Sequence, residues 1–250
     1  MIQILWATAR PKMFIQRHKN WMKNASKKHF IHTLVAVNTI DEKDEILLNY
    51  DEISQRLQDY QVKVKVTGDE NLGVVYPIYE LSKDLKLNDK DIVIVVCDDV
   101  ECPENWDEYL VDEFKLWNGA LMIRDGYQHY EYDISKMISK KIIPPAVSMP
   151  VMTFKCLKKL NMIIFHPDYK HYFADNELFL NLYELGLLKD DRNSDSVIFE
   201  HIHYCTGKRA SDKLDDKIIG LGNQDRGMYF KRINLAVQDR IKLNSFGENK

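Results

Sequence analysis

Two adjacent carboxylates, Asp98 and Asp99, interrupt an apolar run in "VVCDDVECPENW" (95 to 106). Two later segments carry groups of related chemistry: "ADNEL" (174 to 178) holds Asp175 and Glu177, and "FEHIHY" (199 to 204) holds His201 and His203. Hard divalent cations such as Mg²⁺ and Mn²⁺ are held by one or two carboxylates and keep positions for phosphate oxygens and water; Mn²⁺ also accepts imidazole. A strand-end carboxylate with a histidine from a later strand therefore suits a metal bridging the two phosphates of a nucleotide, where it would stabilise a diphosphate leaving group. Each piece has a plainer use as well. Adjacent acids after a strand serve as turn or cap residues, Asp175 suits a helix N-cap, and strand histidines are commonly packed or hydrogen-bonded. The three segments together, in one order, carry the chemical reading.

The hydrophobic pattern supplies the elements that must hold these groups. "IQILWATA" (2 to 9), "HFIHTLVAVN" (29 to 38), "VKVKVT" (62 to 67) and "DIVIVV" (91 to 96) read as strands. Between them fall helices near 11 to 24, 43 to 58 and 75 to 85, the first opened by Pro11 and burying Phe14, His18, Trp21 and Met22. Strands apolar on both faces and alternating with helices predict an α/β fold whose mostly parallel sheet is sandwiched between helices, with ligands bound beyond the carboxyl ends of the strands. Asp98 and Asp99 lie at that edge. Further on, an acidic helix at 106 to 116, a short strand at 119 to 125, a tyrosine-rich connection at 126 to 133, a strand near 148 to 153 followed by a short helix, a helix from about 171 closed by Gly186, and a last strand at 196 to 204 are expected. A helix is expected around 225 to 241. Residues 1 to 205 form one domain in this reading, and 206 to 250 a basic loop and helix extension packed on it.

A chain of 250 residues with 45% hydrophobic and 11% aromatic content is folded and can bury a full core. No apolar run approaches the roughly 20 residues that span a bilayer, and the N-terminus lacks a signal-peptide pattern, so a cytoplasmic protein is expected. Cys97, Cys102, Cys156 and Cys205 show no paired metal spacing and read as reduced thiols. The net charge of −3 is unevenly placed: Arg10, Lys12, Arg17, Lys19, Lys23, Lys27 and Lys28 form a run without an acid. It is either a solvated helix face or a surface for phosphate.

The order of parts resembles the nucleotide-sugar glycosyltransferases of the GT-A fold, in particular the family-2-like group. "CDDVECPENWDEY" (97 to 109), with its proline and tryptophan flank, resembles their strand-terminal D-x-D motif, and "ADNEL" resembles their later "E-D-x-[DE]-L" helix start. The likeness runs over residues 2 to 205. Cys97 stands where the leading acid of D-x-D is usual, and Ala174 where the second motif often has Glu. What the resemblance implies is a metal-dependent enzyme moving a sugar from a nucleotide-diphosphate sugar to an acceptor hydroxyl. Asp99 would hold Mn²⁺ or Mg²⁺, with His203 preferred over His201 to complete the metal shell. Thr8, Arg10, Asn38, Asn71, Tyr76 and Asp98 would contact the nucleotide, and Asp175 would act as the base of an inverting reaction, with Glu177 the acid after it.

The acceptor divides into a glycan and a hydroxymethylated base in DNA. The compact Lys/Asn-rich form resembles phage and viral glycosyltransferases, and Lys208, Arg209, Lys213, Lys217, Arg226, Lys231, Arg232, Arg240 and Lys242 could track a nucleic-acid backbone. Rival readings are a nucleotidyltransferase, disfavoured because "WATARPKM" has no glycine, a zinc site of His201, His203 and Cys205, and a non-catalytic nucleotide- or nucleic-acid-binding module.

Overall fold

The computed structural model describes residues 1–54, 60–68, 73–126, 143–192, 198–204 and 207–243. The first four apolar runs become β1 (Ile2–Ala7), β2 (Ile31–Val37), β3 (Tyr60–Val66) and β4 (Ile92–Val96), all parallel. Helices α1 (Pro11–Asn24), α2 (Ile40–Ser54) and α3 (Val75–Ser82) connect them. Pro11 opens α1, where its missing N–H costs nothing, and Phe14, His18, Trp21 and Met22 are buried along its inner face as the spacing predicts.

Three short strands extend the sheet: β6 (Ala120–Met122), β7 (Val151–Thr153) and β8 (Leu188–Asp190). The order is β3-β2-β1-β4-β7-β6-β8, seven strands in all, with β7 antiparallel to both β4 and β6, and β8 parallel to β6. The sheet is thus mixed but mostly parallel and flanked by helices, the expected α/β class. Every residue of β4 is buried, as a strand covered on both faces requires. Alternation in β1 and β4 splits the core into two layers. Ile2, Ile4, Trp6, Ile94 and Val96 pack with Phe14, Trp21 and Trp106, whereas Leu5, Val93 and Val95 pack with Ile78, Leu178 and Tyr229.

The remaining helices are α4 (Trp106–Leu116), α5 (Phe154–Lys159), α6 (Ala174–Glu184), α7 (Lys213–Ile219), α8 (Gly222–Arg232) and α9 (Val237–Arg240). Gly186, just past α6, adopts φ 64°, the left-handed conformation that glycine takes after a helix without a side-chain penalty. Two expectations are corrected. The last strand is only β9 (Glu200–His201), and it pairs with β5 (Val100–Glu101) outside the main sheet. Its neighbourhood instead donates N–H groups to the loops at the sheet's carboxyl edge, from Phe199 to Arg124 O, from His201 to Asp125 O and from Ile202 to Asp99 O. The helix expected over 225 to 241 is two helices, because the chain folds back after Arg232 so that the Arg240 carbonyl accepts from that guanidinium. The tyrosine-rich connection from 127 onward lies outside the described residues.

Candidate active site

Beyond the carboxyl ends of β1 and β4 lies a cleft of about 240 Å³. Thr8, Arg10, Asn38, Asp98, Asp99, Asp175, His201 and His203 all line it. Tyr76, on α3, is not among the lining residues, although its neighbours Val75 and Pro77 are. Asn71 and Cys205 lie outside the described residues.

The two acids after β4 have different surroundings. Asp98 is buried; Trp6 Nε1 donates to its Oδ1 and Thr8 Oγ1 to its Oδ2, each at 2.8 Å. Thr8 Oγ1 in turn accepts from the Arg10 N–H at 2.9 Å, so Asp98 braces the turn after β1. Burial pushes its carboxyl up to about 7, against the pull of those two donors. Asp99 faces charge: its Oδ1 lies 3.2 Å from His201 Nε2 and its Oδ2 3.8 Å from Arg209 Nη2. Burial would raise Asp99, but the His201 hydrogen bond and the fields of His201, His203 and Arg209 outweigh it and hold this carboxyl below its usual value. The rings of His201 and His203 are 5.2 Å apart between centroids.

Among the described residues no group of three or more His, Cys, Asp or Glu side chains is gathered to hold a metal. A pair is. The 3.2 Å between Asp99 Oδ1 and His201 Nε2 is close to the ~3 Å between neighbouring ligands of an octahedral ion with bonds of ~2.1 Å. A carboxylate and an imidazole at this spacing are donors that would suit Mg²⁺ or Mn²⁺.

The opposite wall comes from α6 and the chain after residue 207. Asp175 sits in the first turn of α6, whose N-cap position is Phe173 in left-handed conformation, so Asp175 does not cap the helix. Its Oδ1 accepts from the Asn176 N–H at 2.9 Å, and burial raises it to about 6. A carboxyl near 6 is ionised at neutral pH yet basic enough to take a proton. Glu177 faces away and is buried, accepting from Tyr169 Oη and from Arg232 Nε and Nη2, each at 2.8 Å.

Sequence reasoning missed His171, Arg209 as a site residue, Asp212 and Asp215. His171 lines the cleft with a buried Nδ1 that has no hydrogen-bond partner, and burial pushes the ring down to about 4. Its segment is held by fully buried Asp225, which accepts from the N–H groups of Lys170, His171 and Tyr172 at 2.8–2.9 Å. Gly73 presses against the same segment; a Cβ there would lie 1.7 Å from Lys170 O. Arg10 pairs with Asp212 at 2.8 Å and with Asp215 at 3.0 Å, and Arg209 donates to Asp215 at 2.6 and 2.9 Å. The D-x-x-D spacing of Asp212 and Asp215 is a readable capping signal, and the capping box does form at the start of α7. Pairing to Arg10, some 200 residues earlier, leaves no local trace.

No protein-family model matches the chain, and no curated protein matches it in sequence. Solved structures do match in fold. A mannosyltransferase, PcManGT from Pyrobaculum calidifontis, in complex with GDP-Man and Mn²⁺, gives a TM-score of 0.56 at 11% identity over 80% of this chain and 56% of its own. S. aureus TarS 1-349 with UDP-GlcNAc gives 0.57 at 14% identity over 86% of this chain and 60% of its own. GalNAc-T7 with UDP, GalNAc and Mn²⁺ gives 0.58 at 12% identity over 80% and 43%. The chain spans about half the length of these structures. The likeness is one of fold, and that fold is GT-A.

Proposed function

We propose that the protein is a metal-dependent glycosyltransferase that moves a sugar from a nucleoside-diphosphate sugar to an acceptor hydroxyl. The observation that carries this reading is the convergence on one strand-end cleft of Asp99 with His201, Arg10 with Arg209, and the raised carboxyl of Asp175. The GT-A neighbours with GDP-Man and UDP-GlcNAc support the donor class, and those with Mn²⁺ support the metal. Asp99, with His201 or His203, would hold Mn²⁺ or Mg²⁺, which when bound neutralises charge on the leaving diphosphate. Thr8 and Asn38 line the cleft and would contact the nucleotide, and Asp98 holds the Thr8 turn that carries Arg10. Asp175 takes the proton of the acceptor hydroxyl as its oxygen bonds to the anomeric carbon; the bond from that carbon to the phosphate oxygen breaks, and the nucleoside diphosphate leaves. Attack opposite the leaving group makes the reaction inverting.

A glycan hydroxyl is the favoured acceptor over a hydroxymethylated base in phage-type DNA modification. Arg209, Arg232 and Arg240 are tied to carboxylates, and Arg232 and Arg240 are buried, which removes them from any track for a nucleic-acid backbone. No described helix is long and apolar enough to cross a membrane. We place the transferase domain at 1 to 205 and the basic extension at 206 to 250, in the cytoplasm.

A thermal-shift panel of UDP-, GDP-, TDP- and CMP-sugars, each with Mn²⁺ and with chelator, tests the reading. One nucleotide class at about 100 times its Kd is expected to stabilise by about 2.7 kcal/mol, or roughly 5–11 °C, only with metal. Asp99→Asn is expected to keep the melting temperature and lose the shift. Flat curves across the panel would overturn the assignment.

A further inference from the structure

Arg10 and Arg209, the two guanidiniums that line the cleft, are both held by carboxylates of one short stretch. Asp215 Oδ1 accepts from Arg10 Nη2 at 3.0 Å and from Arg209 Nη2 at 2.9 Å, and its Oδ2 accepts from Arg209 Nη1 at 2.6 Å. Asp212 takes the Arg10 fork bidentately, at 2.8 and 2.9 Å. Two forks bracketing one carboxylate make a built anion site, occupied by the chain itself. The occupancy is incomplete: Arg209 Nε is buried with no hydrogen-bond partner. The same Arg209 has its Nη2 3.8 Å from Asp99 Oδ2, so the anion site adjoins the acid assigned to the metal.

The carboxylates also organise a wall of the cleft. Asp212 and Asp215 form the reciprocal cap of α7, and Leu214 and Ile218 of that helix line the cleft. A diphosphate brings more negative charge and more acceptor oxygens than the two carboxylates, and it would meet two arginines already turned inward. It would also meet the repulsion of Asp212 and Asp215 for as long as they stay. Resting on the nucleotide-diphosphate reading of this cleft, we propose that Asp212 and Asp215 are an internal stand-in for the donor's diphosphate. They latch the 207 to 219 segment over Arg10 and Arg209 until a diphosphate displaces them and α7 moves off the arginines.

The test is equilibrium binding of inorganic pyrophosphate, UDP and GDP to the full chain and to Asp212→Asn, Asp215→Asn and the double variant. The latch requires tighter diphosphate binding by the neutral variants, about tenfold for Asp215→Asn and less for the more exposed Asp212→Asn. Unchanged or weaker binding overturns it. Because Asp215→Asn could weaken the α7 cap, trypsin cleavage after Arg209 and Lys213 in the unaltered chain provides a second measure. Saturating pyrophosphate is expected to accelerate it several-fold, and an unchanged rate overturns the latch. Tighter pyrophosphate binding without any nucleotide binding keeps the latch and removes the donor reading. Equal nucleotide binding by all four proteins keeps the donor reading and removes the latch. No binding by any of them removes both.

Discussion

Two arginine–carboxylate clusters tie the last quarter of the chain to the rest, and they are built differently. At Arg232 and Glu177 both side chains are buried, every Glu177 oxygen is met, and the guanidinium also donates to the Arg240 carbonyl. At Arg10, Arg209, Asp212 and Asp215 the groups border a cleft, Asp212 is 44% exposed on its side chain, and Arg209 Nε has no partner. The same ion-pair chemistry makes a rivet in the first place and an exchangeable contact in the second. What separates them is the exposed Asp212, the leftover hydrogen-bonding capacity of Arg209, and the second arginine that buried Asp215 keeps when one is lost, whereas Glu177 without Arg232 is a charge left in low dielectric.

The largest effect is therefore expected at the rivet. Arg232→Met strands Glu177 and should cost about 3–5 kcal/mol, a fall in melting temperature of roughly 6–20 °C by calorimetry. Arg209→Met should cost less, because buried Asp215 keeps its Arg10 partner at 3.0 Å, while weakening diphosphate binding; equal losses of stability in the two variants would erase the distinction between the clusters. Between them in character stands Asp175→Asn, expected to reduce kcat by about 10² to 10⁴ with donor affinity and melting temperature kept. Loss of donor affinity there would mark a structural role. Its pH profile sharpens the point: a base titrating near 6 requires activity to rise with pH through that value.

The smallest effect is a slope in stability with pH. Asp98 and Asp175 are raised to about 7 and about 6, so the folded state holds protons that the unfolded state has lost. Their contribution is full below about pH 4 and is lost as pH rises through 6 to 7. Asp215, held below its usual value chiefly by its Arg209 hydrogen bond, acts oppositely: its contribution is lost only as pH falls below the ordinary carboxylate range. Burial pushes His18 down to about 3 and His171 down to about 4, which adds stability as pH rises toward 6.5, so the Asp98 share is read as a difference: between pH 5 and 8 the melting temperature of Asp98→Asn should gain on that of the unaltered chain as pH rises.

The same contrast explains what could be read without coordinates. The sheet's first half was legible because strand and helix periods are local, and "DIVIVV" had to be central because no polar residue interrupts it. Asp98, Asp99 and Asp175 were found as groups at strand and helix ends. β8 was missed because Leu188–Asp190 is short, charged and half exposed, with no alternation to read. The histidine strand was overextended because its backbone partners are loop carbonyls at Asp99, Arg124 and Asp125, which no periodicity encodes. The arginine clusters escaped for the same reason, since each joins residues tens to hundreds of positions apart.

Asp225 gathers three consecutive N–H groups from Lys170, His171 and Tyr172 across an interval of 54 residues from His171. During synthesis at ~5–20 residues per second, roughly 3–11 s separate the appearance of that cleft wall from the appearance of the carboxylate that pins it. The sheet can assemble in the meantime with its ligand edge unfinished. Closure of the cleft wall therefore waits on residues made late, and a chain stopped before residue 225 lacks the carboxylate that pins it.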